Sequence, residues 1–168
     1  FRDNPFLNFI QASAFSLPVR TKFADVIYTP GVLHHTHSTE AAVKAVGPHC
    51  RDDGWMYVWL YGSGSKKGSL ARRVAFRLEE VSRPHIARNL TSTPSRIALG
   101  TLAFAYLLVN RLHRVKDATV EKYDYGKALH AARYRFTPLY ALRHDYPDVS
   151  GWFRDMGFDD IVQVDWRT

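Results

Sequence analysis

Three hydrophobic runs in the first part of the chain predict β-strands. The first is LNFIQA (7–12), and the second is ADVIYT (24–29), a continuous apolar run of the kind found in strands covered on both faces. The third is WMYVWLY (55–61), whose aromatic and β-branched residues favour a strand. The polar residues and glycine of RDDG (51–54) predict a turn just before this third strand.

Between the second and third runs, the pattern predicts a helix from about residue 38 to about residue 49. Its apolar face would hold Ala41, Ala42, Ala45 and Val46. Thr36 or Ser38 can cap its N-terminus, and Glu40 in the first turn would interact favourably with the helix dipole. A strand, a helix and a strand joined by short links predict a right-handed crossover in a parallel sheet, and hence an α/β fold.

Two more helices are predicted after a linker at GSGSKKGS (62–69). The first would be ended by Pro84, and the second would have Thr93 as its cap and Pro94 in its first turn. The first helix carries an apolar stripe with arginines beside it, formed by Leu70, Val74, Leu78 and Val81 with Arg72, Arg73 and Arg77.

The apolar centre of the second of these helices, Ile97 to Val109, is 13 residues long, which is short of the ~20 that a bilayer-spanning helix needs. The pattern therefore indicates either a buried helix or a helix that lies on a membrane surface. Flanking Arg96, Arg111 and Arg114 support the membrane-surface alternative.

Near the end of the chain, YPDVSGWFRDMGF (146–158) predicts a short helix. Pro147 would open it, Asp148 would favour its positive end and Gly157 would close it. Its apolar face would be formed by Val149, Trp152, Phe153 and Met156. DDIVQVDW (159–166) predicts a fourth strand.

Composition adds little about function until charge is considered by segment. The 168 residues are 46% hydrophobic, which is enough for a folded core, and the single cysteine, Cys50, suits a cytoplasmic location. Residues 66–135 hold 15 Lys/Arg against five acids, whereas the rest of the chain holds 8 bases and 11 acids.

This basic segment favours an acidic or phosphate-bearing substrate, a lipid headgroup or a carrier protein as a partner, with a solvated charged face as the alternative. Nucleic acid is disfavoured because the aromatic residues of the segment lie in apolar runs. They are not interleaved with arginine as a base-stacking surface requires.

Histidines cluster in TPGVLHHTHS (29–38), directly after the second predicted strand. In parallel sheets ligands bind beyond the carboxyl ends of the strands, so this stretch lies at the expected ligand edge. No metal is predicted, because no carboxylate or cysteine pair stands at ligand spacing. Neutral histidine can act as a general base, which makes His34 and His35 the catalytic candidates, with packing of the helix start as the alternative. His37 is expected to be solvated.

Three segments, FIQASAFSLPVRTKFADVIYTPGVLHHT, RDDGWMYVWLYG and WFRDMGFDDI, resemble the class I S-adenosylmethionine-dependent methyltransferases. The resemblance is close over residues 6–62 and looser over 136–165. It implies a partial doubly wound, Rossmann-like α/β methyltransferase sheet with an α-helical cap, and S-adenosylmethionine as the cofactor. The implied organisation is residues 1–62 for the central part of that domain, 63–135 for a basic helical insert or cap, and 136–168 for its C-terminal helix and strand.

The predicted strands would be the third to sixth of the seven in this family. The first strand with its Gly-rich loop, the second strand and the last strand lie outside the resemblance. The chain is therefore expected to be a C-terminal portion of an enzyme, with little or no cofactor binding on its own.

The resemblance also implies site residues. Tyr28, Thr29, Pro30 and Gly31 would line the methionine and sulfonium side of the cofactor pocket. Ser13 stands where the family usually has an acid near the adenine, and the neighbouring Ala14 would offer its backbone N–H. Asp53 and Gly54 replace the family's paired glycines before the fifth strand.

Tyr61, Tyr140 and His144 are the candidates for substrate contact, because the family brings the corresponding segments to the substrate side of the cleft. The expected reaction is methyl transfer to O, N or C of a small molecule, which would be acidic or lipid-like. Two alternatives remain at this stage. The chain could be a non-catalytic relative, as Ser13 indicates, or a module that binds a membrane surface or a polyanion through its basic helices.

Overall fold

The computed structural model describes residues 4–63 and 70–164, except for the side chains of residues 71, 72 and 75. The chain divides into two compact units, unit 1 (Phe1–Ser63 with Leu142–Thr168) and unit 2 (Gly64–Ala141). Most of the predicted linker, 64–69, lies outside the described residues.

Unit 1 is built around a parallel strand–helix–strand arrangement. Its elements are β1 (Ala24–Pro30), α1 (Thr39–Val46), β2 (Cys50–Trp59), β3 (Tyr61–Gly62), β4 (Arg143–His144) and α5 (Tyr146–Asp155). β1 and β2 are parallel and are connected through α1, with Tyr28 opposite Tyr57. The predicted α/β class with parallel strands is confirmed, and so is the cap of α1, because Ser38 accepts a hydrogen bond from the Ala41 backbone N–H.

The core of unit 1 lies on one face of this two-stranded sheet. Val43 of α1 and Phe153 of α5 are buried there, and Ile27 and Met56 of the strands pack against the same cluster. On the other face Tyr28 is 69% exposed and neighbouring side chains are open as well. The expectation that residues 24–29 are covered on both faces is therefore wrong, because α1 and α5 both pack against the same side of the strands.

Residues 51–54 do not form the predicted turn. They lie within β2, where the register shifts between Ala24 and Val26, so the turn-like residues are accommodated as an irregularity of the ladder. Gly54 is needed at this point, because a Cβ there would lie 2.8 Å from the backbone oxygen of Asp25. The strand pairing outweighs the local turn preference of this sequence.

The end of α5 agrees with its sequence signals. Gly157 has a φ of +88°, its N–H donates to the Arg154 carbonyl, and the Phe158 N–H donates to the Phe153 carbonyl. These two bonds form a Schellman motif, and the Phe153 and Phe158 rings lie 5.3 Å apart across it. The predicted helix, its closing glycine and its apolar face are confirmed.

Two other predicted strands are wrong over the described residues. Residues 7–12 and 159–164 have no strand assignment, and Phe9 and Val164 are mostly exposed. Within the described chain neither segment finds a neighbouring strand to complete its backbone hydrogen bonds, and an apolar pattern alone does not make a strand. Residues 165 and 166 of the second segment lie outside the described residues.

Unit 2 is helical and contains α2 (Leu70–Arg88), α3 (Thr93–Lys116) and α4 (Tyr125–Phe136). Its core is formed by Ile86, Leu99, Ala132 and Phe136. The prediction that Pro84 ends the first helix is wrong, because α2 continues four residues further and thereby buries Ile86. The cap of α3 is Ser92, whose hydroxyl accepts from the Ser95 N–H, and not Thr93.

A buried ion cluster joins α2 to α4. Glu79, 5% exposed, pairs with Arg83 on its own helix and accepts a hydrogen bond from Arg135 Nε at 2.6 Å. Arg83 Nε also donates to the Arg135 carbonyl at 3.1 Å. Charge neutralisation therefore accompanies the burial of Glu79 and Arg83 inside a unit that is otherwise strongly basic.

Within the described residues no helix is long and apolar enough to cross a membrane. The alternative of a buried α3 holds for one side of the helix only. Leu99 and Ala103 are buried, whereas Phe104 and Leu108 are more than 60% exposed.

Candidate functional site

The candidate site lies at the carboxyl edge of the parallel strands in unit 1. Pro30 at the end of β1 stands opposite Trp59 at the end of β2, and the Gly31 N–H donates to the Trp59 carbonyl at 3.0 Å. Gly31 has a φ of +71°, which favours glycine and lets the chain turn out of the strand. A 3₁₀ turn over Leu33–His35 follows directly.

His34 is the centre of the site. Its side chain is 0% exposed, and its ring centroid lies 4.0 Å from that of Tyr61 and 4.2 Å from that of His35. The edge of the Trp59 ring system approaches it at 5.9 Å. The backbone is tied in as well, because the Leu142 N–H donates to the His34 carbonyl at 2.9 Å.

That hydrogen bond brings the C-terminal segment to the site. β3 and β4 pair in parallel, with Tyr61 opposite Arg143 and Gly62 opposite His144. The Arg143 guanidinium lies 5.4 Å from the centre of the Tyr61 ring, and His144 packs edge-on against Trp152 at 4.9 Å. The structure thus brings together His34, His35 and Tyr61, with His144 on the adjoining strand.

Burial lowers the pKa of His34 from its usual 6.5 to about 4. Electrostatic repulsion from His35, His144 and Arg143 lowers this pKa further. A hydrogen-bonding contribution from the Trp59 backbone raises it, but by less. Burial also lowers the pKa of His144, against the pull of Asp148, Asp145 and Glu40. His34 is therefore a neutral imidazole at physiological pH and a weak base.

Several buried polar atoms of unit 1 lack a partner with hydrogen-bond geometry in the described part of the chain. They are both ring nitrogens of His34, the hydroxyls of Thr29 and Thr39, and Nε2 of His144. Buried polar groups are nearly always hydrogen-bonded. The Thr29 hydroxyl and the His34 ring stand at the carboxyl edge of the sheet, where a ligand or water would pair with them, whereas Thr39 belongs to the first turn of α1.

The cofactor residues implied by the resemblance lie on both sides of the sheet. Side chains alternate along a strand, so Tyr28 and Thr29 face opposite sides of β1. Tyr28 stacks on Tyr57 at 5.1 Å on the exposed face, and Thr29 is half-buried. A ligand on one face of the sheet would meet the side chain of only one of the two.

Ser13 and Ala14 lie in a turn closed by the bridge between Ser13 and Ser16. The Ser13 hydroxyl is exposed and accepts from the Phe15 N–H at 3.2 Å, while Ala14 packs against the core of unit 1. Tyr140 belongs to unit 2, apart from the other candidates, which all belong to unit 1.

Sequence reasoning did not single out Trp59, Arg143 or Trp152 as site residues. Trp59 stood in a run read only as a strand, and its position at the end of that run was the available signal. Arg143 carries no local signal, because it reaches the site through the pairing of β3 with β4. Among the described residues no three His, Cys, Asp or Glu side chains are grouped as a metal site.

Parallel strands that end beside a buried, neutral histidine define an α/β protein with a candidate ligand site at the carboxyl edge of its sheet. Residues 1–58 match a family model described as a methyltransferase domain. The resemblance of this segment to the class I S-adenosylmethionine-dependent methyltransferases is thereby confirmed, and the match indicates methyl transfer as the general function. No curated protein and no solved structure matches the chain.

Proposed function

We propose that the chain is part of an S-adenosylmethionine-dependent enzyme that methylates a small molecule, built on a partial doubly wound, Rossmann-like sheet. The observation that carries this proposal is the coincidence of the matched segment, 1–58, with β1, α1 and most of β2. The carboxyl edge of those strands is also where Gly31 and His34 lie.

The residues at this edge fit the proposed cofactor. When bound, S-adenosylmethionine supplies an electrophilic methyl group on a positively charged sulfur. Thr29, Pro30 and Gly31 would hold its methionine side, with the unpaired Thr29 hydroxyl as a hydrogen-bonding group, and Ser13 and Ala14 would lie towards the adenine. A sulfonium prefers aromatic and oxygen neighbours over positive charge, so a neutral His34 is compatible with it and a protonated one is not.

The low pKa of His34 points to an orienting role. An imidazole with a pKa of about 4 removes protons poorly at pH 7, but it still offers one donor and one acceptor to a bound molecule. Because the methyl group is already activated, holding the acceptor atom in line with it supplies much of the rate. His35, beside it and less buried, is the candidate general base.

An acidic or lipid-like substrate is supported by Arg143, whose guanidinium stands over the Tyr61 ring. A carboxylate or phosphate beside Arg143 would gain a charge-assisted hydrogen bond. Tyr61 and His144 would contact the substrate, and a substrate role for Tyr140 stays a prediction from the resemblance. A reducing, cytoplasmic location is part of the same proposal, since Cys50 is a buried free thiol.

The second candidate function is a non-catalytic methyltransferase-like domain. It is favoured by Ser13, which lacks the charge of the family's usual acid and whose hydroxyl already accepts from Phe15 N–H. Loss of cofactor binding in the natural protein distinguishes this candidate from the enzyme.

Photo-crosslinking tests the enzyme directly. The natural gene product that contains this chain is irradiated with radiolabelled S-adenosylmethionine, digested with trypsin and mapped. We expect label in the peptides 23–44 and 52–66, which contain the ends of β1 and β2. Absence of label, or label confined to other peptides, contradicts the proposed site.

The isolated 168-residue chain is a useful comparison. The Gly-rich loop and the ribose-binding acid of the family lie outside the resemblance, so the chain alone is expected to bind the cofactor weakly. Micromolar binding by the chain alone contradicts a partial cofactor site.

A further inference from the structure

The solvent-facing side of α3 is apolar over most of its length. Ile97, Phe104, Leu108, Leu112 and Val115 are between 56% and 82% exposed. Their spacings of seven, four, four and three residues put them on one side of the helix, over about 27 Å at 1.5 Å per residue. We call this set the α3 stripe.

The core of unit 2 does not use the α3 stripe. Leu99 and Ala103 are buried, and Leu102 and Tyr106 pack against the same core from the other side of the helix. α3 is therefore apolar on two sides, and one of them has no partner within the described residues. Exposed apolar patches of this extent mark interaction surfaces.

The charges on α3 have one sign. The helix carries Arg96, Arg111, Arg114 and Lys116 and contains no Asp or Glu. Arg111 lies one turn from Leu108, and Lys116 lies one turn from Leu112, so positive charge borders the α3 stripe. The Arg114 Nε donates to the Val120 carbonyl, whereas Arg111 and Lys116 are exposed beside the C-terminal half of the stripe and Arg96 is exposed at its N-terminal end.

α2 repeats this pattern. Leu70, Val74, Leu78 and Val81 are each about half to three-quarters exposed. Exposed Arg73 and Arg77 lie beside them, Arg77 is paired with the exposed Glu80, and the buried Glu79 is on the opposite side of the helix. Both helices thus present an exposed apolar stripe to solvent, and the net charge beside it is positive on each.

We propose that the α3 stripe docks unit 2 on the surface of an anionic lipid bilayer, with α2 as a second contact. An amphipathic helix of this kind lies in the membrane interface, with apolar side chains in the acyl boundary and basic side chains at the headgroups. A second copy of the chain fits this surface less well. Because α3 contains no Asp or Glu, the same stripe of a partner would offer Arg111 and Lys116 no acidic group, whereas anionic headgroups would pair with them.

Vesicle flotation of the 168-residue chain tests this inference. Vesicles of phosphatidylcholine alone are compared with vesicles that also contain phosphatidylserine, at low and high salt. The chain is expected to float with the anionic vesicles, and less so at high salt because the charge attraction is screened.

The double variant Phe104→Ser, Leu108→Ser removes two exposed apolar side chains and is expected to lower the vesicle partition coefficient by roughly a hundredfold. Tyr134→Ser is the matched control, because Tyr134 is a 52% exposed aromatic residue on α4 of the same unit. It is expected to leave the partition coefficient unchanged.

A second variant, Arg111→Gln with Lys116→Gln, tests the charge separately and keeps the apolar surface. It is expected to lower binding to anionic vesicles by roughly tenfold. The inference is overturned if wild-type chain stays unbound, if Tyr134→Ser lowers binding as much as the double variant, or if ultracentrifugation shows a dimer that the double variant dissociates. These outcomes are independent of cofactor binding.

Discussion

A buried histidine whose ring nitrogens have no well-aligned hydrogen-bond partner is costly to a fold, and among the described residues His34 is such a case. Both of its ring nitrogens are desolvated, and neighbouring cations further disfavour its protonation. An unpaired buried polar group costs about 1–3 kcal/mol. A bound ligand that pairs with the imidazole would offset this cost.

The pKa of His34 makes folding stability depend on pH. Since its pKa is about 4 in the folded state and 6.5 ordinarily, the unfolded chain takes up this proton first as the pH falls. The free energy of unfolding should be highest above pH 6.5 and decline towards pH 4, with His34 accounting for up to ~3 kcal/mol of the decline. Burial of His144 acts in the same direction.

His34→Leu is expected to flatten this pH dependence and to leave stability at neutral pH equal or higher, because at most a poorly aligned contact with the Trp59 backbone is lost. Urea unfolding near neutral and near mildly acidic pH measures both effects. His37→Leu changes an exposed histidine of the same segment and is the matched control. A variant at position 34 with the wild-type pH profile, or a control that flattens it as much, contradicts the buried neutral imidazole.

Glu79 allows a second test at the scale of one residue. Glu79→Gln removes the charge that balances Arg83 and Arg135, and it is expected to lower the free energy of unfolding by about 3–5 kcal/mol. Glu80→Gln breaks an exposed pair with Arg77 and is expected to change it by less than about 1 kcal/mol. Equal losses in thermal or urea unfolding show that the buried cluster is not what holds α2 to α4.

At the scale of elements, α5 depends on its closing glycine. Gly157→Ala is expected to cost about 1 kcal/mol, because a Cβ at this position meets no atom within 4 Å and the penalty comes from the positive φ alone. Gly151 lies in the body of the same helix, and a Cβ there also meets no atom within 4 Å. Gly151→Ala is therefore expected to raise the free energy of unfolding by roughly 0.5–1 kcal/mol. Differential scanning calorimetry measures the unfolding temperature of each variant, which should fall in Gly157→Ala and rise in Gly151→Ala. Shifts of the same sign in both variants contradict the Schellman motif at Gly157.

The elements that the sequence predicted correctly are those with local signals. β1 and β2 each contain a strong apolar run, and α1 and α5 each have a periodic apolar pattern with a cap or closing glycine that agrees with it. α4 was not predicted, although Asp124 caps it and Ala128, Ala132 and Phe136 follow at helical spacing. Its apolar residues are mostly alanine, so its pattern is weak.

The wrong predictions have a common cause in tertiary structure. The apolar pattern of 7–12 is strand-like, yet the segment forms no ladder with another described strand. Pro84 costs a helix one hydrogen bond, but burial of Ile86 beyond it favours continuation. In both cases the outcome depends on contacts with residues far away in the sequence, which within the described chain are missing for 7–12 and present for Ile86.

At the scale of the whole molecule, part of the candidate site follows from topology. His34 and Tyr61 each come after a parallel strand, and the carboxyl ends of such strands share one edge. Arg143 and Trp152 were not foreseeable, because they arrive through the pairing of β3 with β4 across some eighty residues of unit 2. The basic charge, in contrast, was visible in the sequence as a property of one segment.

The central claim is that the edge of β1 binds S-adenosylmethionine, and the Thr29 hydroxyl tests it most directly. Thr29→Val keeps the shape of the side chain and removes a buried hydroxyl that has no partner in the described structure. Thr39→Val makes the same change at another buried, unpaired hydroxyl, in the first turn of α1. Neither variant should lower stability.

Calorimetric titration of the natural gene product with S-adenosylhomocysteine, the product form of the cofactor, is the decisive measurement. Binding is expected to weaken by about tenfold in Thr29→Val, as for the loss of one hydrogen bond to a ligand, and to stay unchanged in Thr39→Val. No binding by the wild-type protein, or equal binding by wild type and Thr29→Val, contradicts it.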